Sequence, residues 1–371
     1  MNNTRITRLL AALLFGLCLF SVQCQLERLE PIPTTFRKVI PVDTSYTVLK
    51  IYQRSDGQYY LCLSDDDDTG LTLLLDSEGG GKGFPLKYIK TFRLWKSIPD
   101  GEDGFLVIGT SYFQNENLYT GFLSRVRPNQ MLQWNKNFSF GSTDALVQHS
   151  SNASGVILTP NQEVVVCGYH ESSTDTRAGI AIFNLGGDLQ ISTINKASGQ
   201  SQAWDVAQRP TGEYLLLNLS SLLNVNATGT DILPPIPIQM GQFTHILYIA
   251  DDSYVLYKAS ELALVNTSGK ILWYNKLLEK QNIEIGEVIA ARDGSIVLCG
   301  QKSDSAFVGK YSFATGDTLW TRTFMEPATS SARFHSVSET VDRGFILGGS
   351  IIEAGKTNLY VVKTDQEGIV R

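Results

Sequence analysis

The stretch NLYVVKTDQEGIVR (residues 358–371) decides the fold by what it lacks. It holds an apolar strand and a glycine turn, then stops. The same phrase runs on into a tryptophan-bearing strand in LALVNTSGKILWYNKLL (262–278) and FVGKYSFATGDTLWTRTF (307–324). The phrase is therefore part of a repeat whose last copy is one strand short. TTFRKVIPV (34–42) is a strand-like piece that belongs to no copy of its own. Pairing it with NLYVVKTD closes a ring and removes two open sheet edges at once.

Working outward, the unit reads as an apolar strand, a turn, a second strand, a variable loop, a third strand, a second turn and a fourth strand, and it recurs seven times. The first turns are RSDGQ (Gly57), GEDGF (Gly104), TPNQE (Asn161), RPTGE (Gly212), ADDSY (Asp252), ARDGS (Gly294) and VDRGF (Gly344). Their spacing of roughly 40 to 57 residues is that of a four-stranded propeller blade. The second turns, DSEGG, RPNQM, NLGGD, NATGT, NTSGK, ATGDT and DQEGI, follow in step. Asn, Asp and Gly tolerate the positive φ that tight hairpins need, so both series mark strand reversals. Segments such as GFLVIG, EVVVCG and SIVLCG are short and β-branched, without helix length or caps. Pro85, Pro234, Pro235 and Pro237 fall in fourth strands, where a missing ladder donor is tolerated because the edge is free. The expected fold is all-β: a seven-bladed β-propeller of four-stranded antiparallel blades over 34–371, its N-terminal strand closing the last blade.

The first residues carry Arg5 and Arg8, an apolar run from Leu9 to Phe20 and a polar step to Cys24. The run is too short to span a bilayer as a helix and reads as an export signal, residues 1–23, with 24–33 as a linker. Cys24 stands where an acylated lipoprotein cysteine would stand, and the segment resembles a loose lipobox. Gln23 replaces the usual small residue and Ser21 the usual aliphatic one; ordinary cleavage nearby is the alternative. The expected location is the outer membrane, through a lipid anchor, on either its periplasmic or its outer side. A formal net charge of −6, made more negative by loss of the signal arginines, argues against nucleic acid as a partner. Cys62, Cys167 and Cys299 recur in like contexts and read as one buried small-residue position, not as disulfides. Without a Cys-x-x-Cys pair, and with four scattered histidines, no zinc site is expected.

First-to-second and third-to-fourth turns share one face, here the turn face. Second-to-third loops and blade links share the other, the loop face. The long segments SDDDDTG (64–70), GTSYFQNENLYTG, GYHESSTDTRAG and FGSTDALVQHSSNASG crowd the loop face of the first three blades, which makes it the candidate site. Counting back along the innermost strands from the first turns gives Trp204, His245, Gly286 and His335, with Trp95 nearby. Imidazole and indole at a channel mouth suit a small polar or sugar-like ligand; filling the channel is the plainer role. Arg333 is placed to meet an anion or a neighbouring carboxylate. Trp134, Trp273 and Trp320 repeat in fourth strands and fit packing between blades. Asp65, Asp66, Asp67 and Asp68 are weak Ca²⁺ candidates, because the run lacks alternating ligands, and a solvated loop is the simpler reading. No cofactor is expected, and no hydrolase elbow, zincin helix or phosphate-cradling glycine loop is present.

SETVDRGFILGGSIIEAGKTNLYVVKTDQEG (338–368) and YSFATGDTLWTRTF (311–324) resemble the propeller repeats of exported Bacteroidota proteins and, more distantly, the blades of pyrroloquinoline quinone enzymes. The likeness is sharp over 285–371 and thin over 45–280. It implies a β-propeller outside the cytoplasm. The adjacent cysteines and calcium ligands expected of quinone dehydrogenases are missing. In fold type and anchoring the chain also resembles the propeller lipoprotein of the outer-membrane barrel-assembly machinery. The leading expectation is a non-catalytic scaffold binding an envelope protein complex or a glycan. The alternative is an exported carbohydrate-active enzyme with its site at the channel mouth.

Overall fold

The computed structural model describes residues 35–371 except 82–85, 91–92, 114–117, 142–149, 173–174, 196–200, 251, 276–280 and 328. The signal segment 1–23, Cys24, the linker 24–33 and Pro85 lie outside the described residues. Twenty-eight strands form seven four-stranded antiparallel sheets, with no helix among the described residues. Blade one is β2 (Tyr46–Gln53), β3 (Tyr59–Asp65), β4 (Thr69–Leu75) and β5 (Leu86–Lys90). Blade two is β6 (Arg93–Pro99), β7 (Phe105–Phe113), β8 (Leu118–Val126) and β9 (Leu132–Phe138). Blade three is β10 (Ser150–Leu158), β11 (Glu163–Glu171), β12 (Thr176–Asn184) and β13 (Leu189–Ile194). Blade four is β14 (Asp205–Gln208), β15 (Tyr214–Asn218), β16 (Ser221–Val225) and β17 (Ile236–Pro237). Blade five is β18 (His245–Ala250), β19 (Ser253–Lys258), β20 (Glu261–Asn266) and β21 (Ile271–Asn275). Blade six is β22 (Ile283–Ala290), β23 (Ile296–Lys302), β24 (Ser305–Tyr311) and β25 (Thr318–Phe324). Blade seven is β26 (Thr329–Glu339), β27 (Phe345–Glu353) and β28 (Lys356–Thr364), completed by β1 (Phe36–Ile40).

The missing strand is supplied as expected. β1 pairs antiparallel with β28, Phe36 opposite Lys363 and Ile40 opposite Leu359. Arg371 N donates to Thr35 Oγ1 at 2.7 Å, tying the ends of the ring together. Proline explains the weakest blade. In blade four Pro234 and Pro235 precede a two-residue β17, because each removes a donor the ladder would use.

Every second turn places its left-handed residue at the same point: Gly79, Gln130, Gly187, Gly229, Gly269, Gly316 and Gly368. The first turns are less uniform. The left-handed residue is Gly57, Gly212 or Gly294 in three of them, but Asp103, Gln162, Asp252 and Arg343 in GEDGF, TPNQE, ADDSY and VDRGF. Gly104 and Gly344 serve close approach instead: a Cβ there would lie 2.4 Å from the Val126 carbonyl oxygen and 2.1 Å from that of Thr364.

The core is distributed. Seven buried clusters each join two neighbouring blades. Cys62, Cys167 and Cys299 are buried thiols, outside any disulfide, at one register position of the second strands. Burial pushes the Cys167 and Cys299 thiols up, so both stay protonated and inert. Trp134, Trp273 and Trp320 lie over Gly187, Gly316 and Gly368 in the next blade's second turn. Trp134 Nε1 donates to the Leu185 carbonyl at 3.2 Å and Trp273 Nε1 to that of Phe313 at 2.8 Å. Phe36 on β1 takes the tryptophan's part against Gly79 of blade one, so the closing strand also supplies the closing interblade contact.

Candidate functional site

Each innermost strand lines the axis, and five of them bulge near the loop face. Two residues oppose one on the second strand, leaving Leu49, Trp95, Ser154, Gly286 and His335 as the extra residue. In blade four Trp204 N donates to the Leu217 carbonyl while Asp205 already faces Leu217, which gives Trp204 the same place. One residue further on is a sevenfold column: Lys50, Lys96, Gly155, Asp205, His245, Glu287 and Ser336.

That column is an ionic belt. Lys50 of blade one meets Glu287 of blade six at 2.6 Å, past blade seven. Lys96 of blade two meets Asp205 of blade four at 2.7 Å, past blade three. Contacts that skip a blade run through the centre of the ring, where the small residues Ser336 and Gly155 make way. A Cβ on Gly155 would lie 2.7 Å from both Asp205 Cα and Oδ1. Ser336 Oγ and Val337 N each donate to Glu287 Oε2 at 2.8 Å. His245 Nδ1 lies 3.6 Å from Asp205 Oδ2, its ring stacked on Tyr257 at 4.6 Å. Burial would raise the Asp205 pKa; the Lys96 charge and the His245 contact outweigh it, and the net shift is downward. Asp205 is therefore an anion held between two bases.

The structure places Trp95, Trp204 and His335 on bulges just above this belt and His245 within it. They are not gathered into one pocket. Trp95 Nε1 donates to Thr110 Oγ1 at 3.2 Å, Thr110 Oγ1 reaches Asn152 Oδ1 at 3.3 Å, and the Arg93 guanidinium lies 3.9 Å from the Trp95 ring centre. Trp204 Nε1 is buried without a hydrogen-bond partner. His335 Nε2 bonds Ser350 Oγ at 3.2 Å. Desolvation, then the Arg333 charge, lowers the His335 pKa to about 4, so the ring is neutral at neutral pH. Of the two partners expected for Arg333, the structure supplies the carboxylate: Nη1 meets Glu284 Oε1 at 2.8 Å. Asp65 Oδ1 accepts from the backbone N–H groups of Asp67 and Thr69, and Asp68 sits at φ 55°, so this carboxylate caps its own hairpin. No group of three or more His, Cys, Asp or Glu arranged to hold a metal ion occurs among the described residues.

Lys50, Lys96, Asp205 and Glu287 each stand one residue nearer the first turn than the bulge position, so a count back that ends on Trp204, Gly286 or His335 has stepped past them. The usable signal is chemical: two lysines, an aspartate, a glutamate and a histidine at one aligned position of otherwise apolar strands. Two hollows open on the surface of the described residues. One, of about 560 Å³, lies on the loop face of blade five against Gln242, Lys258 and Glu261. The other, of about 380 Å³, opens on the turn face between blades three, four and five.

No family model matches the chain, and no curated protein matches it in sequence. Solved structures match in shape. A streptogramin B lyase superposes with a TM-score of 0.59 at 10% identity, covering 89% of this chain and 98% of that one. The WD40 β-propeller domain of Doa1 gives 0.55 at 13%, covering 89% and 97%. Virginiamycin B lyase from Staphylococcus aureus, in an inactive form with quinupristin, gives 0.57 at 10%, covering 89% and 99%. At such identities the likeness carries the fold alone: this chain is a β-propeller.

Proposed function

We propose that the protein is an exported β-propeller, anchored through acylated Cys24 in the outer membrane of a bacterium of the Bacteroidota type, that serves as a non-catalytic scaffold. Its loop face receives another envelope protein or a glycan. The observation that carries this reading is the ionic belt. Lys50 with Glu287, and Lys96 with Asp205 and His245, satisfy one another across the axis, so these acids and bases are committed to holding blades together. A two-carboxylate hydrolase at the channel mouth needs one carboxyl that carries a proton at working pH, and Asp205, its pKa lowered by Lys96 and His245, does not suit that part. Binding then falls to the surface above the belt, where Arg93 lies on Trp95, and Tyr112 pairs with Tyr119 at 4.9 Å on the blade-two hairpin.

The test is purification of the lipidated full chain from gently solubilised membranes, followed by mass spectrometry. The reading expects a specific envelope partner that is lost on replacing Arg93 and Trp95 by alanine, and release from membranes on Cys24→Ala. Isolation as a lone monomer, together with turnover in a glycan screen, would overturn it in favour of the enzyme.

A further inference from the structure

The turn-face hollow has a cause in the repeat. Two residues beyond the belt, the innermost strands carry Tyr52, Ile98, Ile157, Ala207, Leu247, Ile289 and Ser338. Blade four has alanine where its neighbours have isoleucine and leucine, and the lost side-chain volume opens the cleft. Ile157, Leu158, Val206, Ile246 and Leu247 wall it, and Pro160 and Pro210 fix its rim. Its one cationic lining group is Arg209.

Arg209 is poorly satisfied for its position. Its side chain is 19% exposed, and its one ion pair among the described residues is a loose 3.5 Å contact from Nη2 to Asp252, whose side chain is 51% exposed. Arg209 Nε is buried without a hydrogen-bond partner. The buried Tyr254 hydroxyl lies against the same guanidinium and takes part of its hydrogen bonding from behind the cleft. The exposed end of the guanidinium, held only by the loose Asp252 contact, keeps donors at the wall of an apolar cleft that an acceptor can engage. A carboxylate is the natural match for a guanidinium fork. At about 30 Å³ per heavy atom the cleft holds on the order of ten such atoms.

We infer that this turn-face cleft is a binding site for a small apolar monocarboxylate, with the hydrocarbon or aromatic body on Ile157, Ala207 and Leu247 and the carboxylate on Arg209. The site lies on the face opposite the proposed scaffold surface and does not depend on that role. It is tested by calorimetric titration of the purified full chain with sodium decanoate and 3-phenylpropionate, with decan-1-ol as the uncharged analogue. Saturable one-to-one binding of the acids is expected, weakened about tenfold or more by Arg209→Gln, which removes a charge-assisted bond. Ala207→Leu, which fills the cleft, should abolish it. If that variant fails to fold, the amide shifts of Gln208, Leu247 and Tyr248 on adding 3-phenylpropionate to the wild-type chain give the location. The inference is overturned by absence of saturable binding up to the solubility of both acids, by equal affinity of wild type and Arg209→Gln, or by decanol binding as tightly as decanoate.

Discussion

Replacing Phe36 by alanine attacks the closure of the ring at its cheapest point. The ring is 8% exposed, meets Tyr59 edge-on at 5.6 Å, and covers Gly79 so closely that a Cβ there would lie 2.5 Å from it. Truncating a buried phenylalanine costs about 3 to 5 kcal/mol, and an outermost strand relaxes more readily than a central one, so about 3 kcal/mol is expected. For a domain of this size, with a urea slope of at least about 3 kcal/mol/M, the midpoint falls by up to about 1 M. Amide exchange should rise first along β28 on its β1 side, because a loosened β1 exposes that ladder before any other. Gly79→Ala adds a sharper check. It is strained twice in the wild type, by a φ of 79° and by the Phe36 ring, whereas in the Phe36→Ala background only the backbone strain remains. The two substitutions should therefore couple, the double variant losing at least about 1 kcal/mol less than the sum. A midpoint shift below about 0.2 M with unchanged β28 exchange would refute closure by β1 as a source of stability.

Asp205→Asn should destabilise the chain by roughly 2 kcal/mol, below the range for a fully buried pair because Lys96 keeps 28% of its side-chain exposure; Lys96→Met with Asp205→Leu should recover most of the loss in thermal melts. His335, whose pKa lies near 4 against about 6.5 when unfolded, makes stability fall as pH drops. Above about 6.5 the ring is neutral in both states; below it the unfolded chain takes up the proton first, and the penalty grows until about pH 4, reaching at most about 3 kcal/mol and roughly 2 after solvent screening. His335→Gln should flatten that slope in melts across the window, and an imidazole of the wild type already charged at pH 6 by NMR would contradict it.

The blade count, the strand order and the closing strand are legible in residues 34–371 because each follows from a local cause. Turns need a left-handed residue, and Gly79 to Gly368 supply it with only Gln130 as exception; edges accept proline, and Pro237 sits on one. Trp134, Trp273 and Trp320 are legible as packing because a repeated bulky residue over a repeated glycine needs no long-range information. The belt is different in kind. Lys50 and Glu287 stand 237 residues apart and meet only because seven small interblade angles sum to a closed circle. Each stands beside a bulge that no turn announces. A repeat read one copy at a time treats Lys50, Asp205 and Glu287 as unrelated oddities in apolar strands. Aligned as a column they balance in charge, with small Gly155 and Ser336 where a neighbour's side chain must pass. In a circular repeat, then, complementarity is written down the column and not along the chain, and Ala207, the small residue that opens the turn-face cleft, is legible by the same reading.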